Sequence, residues 1–269
     1  MSKQKKYVLI ILGTIILSTA SLIGWYQYKE IKEKEALAWL ESIGAREWPG
    51  QGIQLRRSWD RPEGSYHMID YESQNDLIFG DEYKVINEIG LKGKDVKDIS
   101  LLKYFDYLEH LNLVGTEVKD ISSISGCSSL KSLHVFDSPI EDFSVLARTE
   151  LTHLSLDVKQ IDLKVIKRLP LESLAVYCES VLNVESISKL ENLEALSLAK
   201  MDLTDIGFLT ELKELKFLVL VNLNVSDLSP LKKLNQLSQL NLQNTKVGQQ
   251  QIDDLNKALP DLDIINFSK

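Results

Sequence analysis

Three of the chain's four histidines, His110, His134 and His153, lie close together in sequence, and aspartates recur at Asp98, Asp120, Asp142, Asp205 and Asp227. Imidazoles so grouped could ligate a metal or exchange protons near neutral pH, and carboxylates could serve as acids, bases or ligands. Catalysis asks for more: a nucleophile beside its base, or paired carboxylates in a pocket. The sequence holds no G-x-S-x-G, no H-E-x-x-H and no phosphate-binding glycine loop. The aspartates return once per structural unit, which points to turn capping, because a short carboxylate readily accepts from backbone N–H groups just ahead of it. Cys127 and Cys178 show no metal-type spacing and fall too far apart in the expected fold to meet the roughly 7 Å limit for a disulfide. No enzyme activity, cofactor or metal is expected.

What positions these residues is a repeat. The phrase L-x-x-L-x-L starts at Ile86, Leu108, Leu130, Leu151, Leu171, Leu193, Leu215, Leu237 and Leu262, at intervals of 22, 22, 21, 20, 22, 22, 22 and 25 residues. A second phrase follows it: V-K-D-I-S at 96–100 and 118–122, I-E-D-F-S at 140–144, L-T-D-I-G at 203–207 and V-S-D-L-S at 225–229. The L-x-L centre alternates as a strand does, with the leucines on one side. One unit cannot bury that side alone, so the units must stack. So short a period leaves room for 3₁₀ turns or extended chain on the return limb. The last interval differs, and Q-Q-Q-I-D-D-L-N-K-A-L-P predicts a full helix before a closing strand.

These residues resemble the leucine-rich-repeat family, in its short bacterial, internalin-like class. The resemblance covers residues 86–269 and implies a right-handed solenoid, an α/β repeat fold with a parallel concave sheet used for protein binding. The family's asparagine at the ninth position is here Lys94, Thr116, Ser138, Lys159, Glu179, Met201, Leu223 and Thr245. A continuous asparagine ladder is therefore not expected, and turn geometry should vary, most of all in the short fourth and fifth units.

Positions three, five and seven of each unit should face outward on the concave sheet. Only Glu88, Lys92 and Asp157 are charged among them, whereas a chain with 26% charged residues would place about seven there by chance. Position two is the opposite, with Glu109, Lys131, Glu172, Glu194, Lys216 and Asp263. A charge-poor centre inside a charged border is how binding patches are composed. The candidate partner-binding residues are His110, His134, Phe136, His153, Tyr177, Phe217, Val219 and Val221, with Val114 and Ile264 as further apolar members. The competing reading is that strand positions disfavour charge anyway and that another segment covers the patch. Neighbouring histidines would stand roughly 8 Å apart, too loose to converge on one metal.

Residues 1–28 read as a short cytoplasmic tip and a transmembrane helix. Lys3, Lys5 and Lys6 precede an uncharged run from Tyr7 to Tyr28, long enough at about 1.5 Å per residue to cross a bilayer. Tyr7 at one end and Trp25, Tyr26 and Tyr28 at the other suit the interfaces, and the lysines keep the N-terminus inside. The repeats would then lie outside the cytoplasm, in periplasm or medium. The alternative is a secreted protein cleaved near Ala20; against it, the apolar run continues through Leu22, Ile23 and Trp25. Residues 29–85 form a flank: a helix ending near Gly44, then loops with one short strand expected near Tyr66–Tyr71, capping the array. The formal net charge of −8 disfavours a nucleic-acid partner.

Overall fold

The computed structural model describes residues 24, 25, 27–29, 31, 32, 34–36, 38–40, 42, 77–79 and 84–265. The chain divides into two compact units, Met1–Gly44 and Ala45–Lys269. In the first, the described residues between Gly24 and Ser42 are helical. Most of the expected span over residues 7–28 lies outside the described residues, as does the strand expected near Tyr66–Tyr71. Among the described residues no helix is long and apolar enough to cross a membrane.

The first described elements of the second unit are an antiparallel pair, β1 (Leu77–Phe79) and β2 (Lys84–Ile86), where the lack of a clean period predicts irregular chain. Nine parallel strands follow in sequential order: β3 (Glu88–Lys92), β4 (His110–Val114), β5 (Ser132–Phe136), β6 (His153–Asp162), β7 (Ser173–Leu182), β8 (Ala195–Ala199), β9 (Phe217–Val221), β10 (Gln239–Asn241) and β11 (Asp263–Ile265). The repeated leucines fill the interior: Leu108, Leu111 and Leu113 in one unit and Leu193, Leu196 and Leu198 in another are wholly buried. At about 25 cal/mol per Å² of apolar surface, stacking is the dominant stabilising term.

Each return limb makes a 3₁₀ turn, from Ser100–Tyr104 through Ser229–Lys233. The recurring aspartates cap them. Asp98, Asp120, Asp142, Asp205 and Asp227 each accept from the backbone N–H two residues on, at 2.7–2.8 Å. Asp162 does the same for Lys164 at 2.9 Å, in a unit too short for the repeated phrase to be read. Backbone donation holds the Asp120, Asp142, Asp162 and Asp227 carboxyls below the usual range.

The eighth position of the unit, at or just past the end of the concave strand, is left-handed at Gly93, Gly115, Asp137, Lys200, Asn222 and Asn244. Glycine, asparagine and aspartate tolerate that region; β-branched residues do not. In the fourth and fifth units the position holds Val158 and Cys178, and the strands run on to ten residues each. The left-handed turn of β7 is deferred to Asn183. The missing asparagine ladder is replaced piecemeal. Thr116 and Ser138 pair through their hydroxyls at 2.8 Å, the Thr245 hydroxyl donates to the Leu242 carbonyl, and Met201 and Leu223 are simply buried.

The C-terminal helix, Gln249–Ala258, buries Ile252 and Leu255. Beyond it the register slips. Leu262 is buried like Leu237, yet Asp263 pairs with Gln239 and Ile264 with Leu240. The closing strand thus starts one residue early relative to its leucine, and Ile264 takes an interior position rather than the outward one expected. Asp263 and Ile265 face out in its place.

Candidate protein-binding face

Strand pairing sets the outward residues in rows. The first runs Glu88, His110, Ser132, His153, Ser173, Ala195, Phe217, Gln239 and Asp263; the second Gly90, Asn112, His134, Ser155, Ala175, Ser197, Val219, Asn241 and Ile265; the third Lys92, Val114, Phe136, Asp157, Tyr177, Ala199 and Val221. The eight candidate residues all stand in these rows, but they form two groups rather than one.

The first group spans β4 to β6. His110 and His153 flank Ser132, and His134 sits one step further along the intervening strand. The Ser132 hydroxyl lies 2.9 Å from His134 Nε2, and the Thr152 hydroxyl lies 2.9 Å from His153 Nδ1. Phe136 stacks against His134 with ring centroids 6.3 Å apart. Burial, reinforced by His153 and His110, pushes His134 down to about 4; burial also lowers His110, against the opposing pull of Glu109. Among the described residues no three of His, Cys, Asp and Glu group to hold a metal.

The second group spans β7 to β9. Phe217, Val219 and Val221 project from one side of β9, with Tyr177 in Val221's row across Ala199. The Tyr177 hydroxyl reaches Ser197 Oγ at 3.0 Å, so its ring lies over β8, and Ser197 and Ala199 are buried. Val221 departs from expectation: at 6% exposure it is a packing residue of this face, shaded by its neighbours. Phe217, Val219 and Tyr177 remain partly exposed. Between the groups stands an ion pair, Lys200 Nζ to Asp157 Oδ2 at 2.9 Å. Lys200 gave no sign of this in the sequence; its left-handed backbone starts the turn that follows β8.

Asn112 also went unremarked in the sequence. It is 5% exposed, its Nδ2 donates to Glu88 Oε1 at 3.4 Å, and among the described residues its Oδ1 has no partner. The border holds its charge, as in the Glu194–Lys216 pair at 2.9 Å. Both cysteines are buried free thiols. Cys127 occupies the column of Phe105, Leu190 and Leu212 and is pushed up to about 12; Cys178 is pushed up to about 11.

The parallel sheet, 3₁₀ return limbs and 22-residue period define a leucine-rich-repeat solenoid. No family model and no curated protein sequence matches the chain. Among solved structures it is similar to an internalin of Listeria monocytogenes, at 26% identity and a TM-score of 0.59 over 68% of this chain and 55% of that one. It is also similar to internalin C2 of the same organism, at 20% identity and a TM-score of 0.60 over 68% of this chain and 81% of that one. A third likeness is a leucine-rich-repeat protein of Leptospira interrogans, at 23% identity and a TM-score of 0.58, over 66% of this chain and 48% of that one. The chain thus spans about half the length of two of these three. The fold is the bacterial leucine-rich repeat, of the short type that internalins share.

Proposed function

We propose that this protein captures a protein partner on its concave face and performs no catalysis of its own. The apolar group on β7 to β9 provides the anchoring contact. The observation that supports this is the combination of Tyr177, Phe217 and Val219, large apolar side chains left partly exposed on a sheet face whose outward positions are nearly free of charge. Aromatic anchors in a charge-poor centre with a charged rim are the usual make-up of an energetic hot spot. The Tyr177→Asp, Phe217→Asp double variant tests it. Capture of the native partner should fall by at least about a hundredfold, since two anchors at about 2 kcal/mol each exceed that factor, while circular dichroism stays unchanged. Undiminished capture by the folded variant refutes the assignment.

Residues 7–28 hold the protein in a membrane, with the repeats outside the cytoplasm. In support, Trp25 and Tyr28 are exposed on the helix, each with a lysine over its ring, Lys29 at 5.4 Å and Lys32 at 5.9 Å from the centroid. Aromatic residues at the headgroup level beside snorkelling lysines suit that boundary. The mass of the mature protein in its native host tests the anchor. Retention of residues 1–20 in a membrane fraction is expected; a soluble form beginning after Ala20 would instead make it a released binding protein.

A further inference from the structure

His134 stands at the centre of the group on β4 to β6. Strand pairing sets His110, Ser132 and His153 side by side in the first row and His134 one step further along β5, so an imidazole lies diagonally across from it on either side. At a strand spacing of about 4.8 Å and a two-residue offset of about 6.7 Å, each is roughly 8 Å away between Cα atoms. Two contacts hold the His134 ring. Nε2 lies 2.9 Å from the Ser132 hydroxyl, and the ring lies nearly parallel to that of Phe136, with 10° between the planes. Both rings are partly exposed, whereas Ser132 is buried. The whole arrangement sits on the outward side of the sheet: Leu111, Leu133 and Leu154, on the other side of the same three strands, are at most 1% exposed.

A proton arriving at His134 finds no carboxylate to pair with among the described residues. On its own strand the charged groups are Lys131 and Asp137, just beyond opposite ends of β5. From β4 it faces His110, with Glu109 beside it; from β6 it faces His153 and Asp157. Both carboxylates of the neighbouring strands are engaged elsewhere: Glu109 Oε2 lies 4.0 Å from His110 Nε2, and Asp157 Oδ2 lies 2.9 Å from Lys200 Nζ. Burial, then repulsion from His153 and His110, pushes the His134 ring down to about 4. A phenyl face attracts an imidazolium, but 6.3 Å between centroids is already past the roughly 6 Å reach of that attraction. Turning into water relieves the burial and the repulsion together, at the cost of one hydroxyl contact and the stack.

We propose that His134 is a proton-operated latch on the concave face: neutral, it lies against Phe136 and covers Ser132; protonated, it swings into solvent, releases Phe136 and uncovers the Ser132 hydroxyl. The polar half of the face thus has two surfaces, one aromatic and closed, the other charged and open. The solenoid beneath stays as it is, because its leucines lie on the other side of the strands. A partner seated on β4 to β6 at neutral pH is shed in acid, while the anchors on β7 to β9 keep their shape. That release presupposes capture on this face; the latch does not.

The test follows the full chain in detergent by NMR between pH 7.5 and 3.5, with a soluble gadolinium chelate as the probe of exposure. The Phe136 ring signals should move with the same midpoint as the His134 imidazole, near 4. Cross-relaxation between the two rings, present at pH 7.5, should be lost at pH 3.5, and broadening of Phe136 by the chelate should at least about double. The methyls of Leu111, Leu133 and Leu154 should hold their shifts through that transition. In His134→Gln the Phe136 ring should stay equally shielded at both pH values. His110→Gln combined with His153→Gln removes both like charges but not the burial, so the midpoint should rise and stay below 6.5. Rings that remain in contact once His134 is protonated, a Phe136 response that persists in folded His134→Gln, or leucine methyls that shift at the same midpoint, as in concerted unfolding, would overturn the latch. None of these outcomes touches the anchors, whose failure is read on Tyr177 and Phe217 alone.

Discussion

Acid should weaken this fold well before its carboxylates titrate, and His134 is the reason. Burial and two neighbouring imidazoles hold its folded pKa at about 4, against an ordinary value of 6.5. Above pH 6.5 the ring is neutral in both states and contributes nothing. Between 6.5 and 4 the unfolded chain takes up a proton that the folded chain refuses, so stability falls as pH falls; below 4 both bind it and the loss levels off. At about 1.4 kcal/mol for each tenfold difference in proton affinity, the full loss is about 3 kcal/mol, of which about 2 is incurred by pH 5. His110, also lowered by burial, acts in the same direction. The capping aspartates do not interfere, because their lowered carboxyls lose stability only as pH drops below about 4. Urea unfolding at pH 7.5 and 5.0, followed by circular dichroism, reads the difference. His134→Gln keeps a polar partner for Ser132 but cannot titrate, so it should remove about 2 kcal/mol of the pH dependence. A variant that loses as much stability as the parent between those pH values would refute the assignment.

Gly126 ends a 3₁₀ turn where an added Cβ would stand 2.7 Å from Lys103 Cβ and 3.2 Å from its Cα, so Gly126→Ala should cost about 1–3 kcal/mol by forcing two stacked turns apart, measured by urea unfolding. Asn222 holds φ at 55°, and Asn222→Ile should cost about 1–2 kcal/mol while Asn222→Gly costs far less; equal effects would show that strain is not the cause. The thiols of Cys127 and Cys178, raised to about 12 and 11, should resist a maleimide at pH 7.5 in the folded protein and react on denaturation.

The solenoid was legible because its signal is periodic. Leucines such as Leu111, Leu133 and Leu154 must share an interior whatever the turns do, and the strand rows follow from alternation. The aspartate caps were legible for the same reason, except Asp162, whose unit breaks the phrase. What the period could not reveal was one-residue slippage and local reach. The chain between Leu259 and Asp263 is one residue shorter than its counterparts, which moves Ile264 inward, and no pattern spans a single copy of that junction. The two-group character of the face depends on the long side chains of Tyr177 and Lys200 leaning across strands, and Val221 and Asn112 are buried although both stand in outward rows. Spacing assigns a residue to a face; it does not say how deeply its neighbours shade it.

A photo-cross-linking residue placed at Val219, on the concave face, and separately at Leu182, exposed at 59% at the far end of the extended β7, tests the account most directly. The account predicts a discrete protein adduct from Val219 that disappears when Phe217→Asp is added, and none from Leu182. An adduct from Leu182 alone, or one from Val219 that ignores Phe217→Asp, would contradict it.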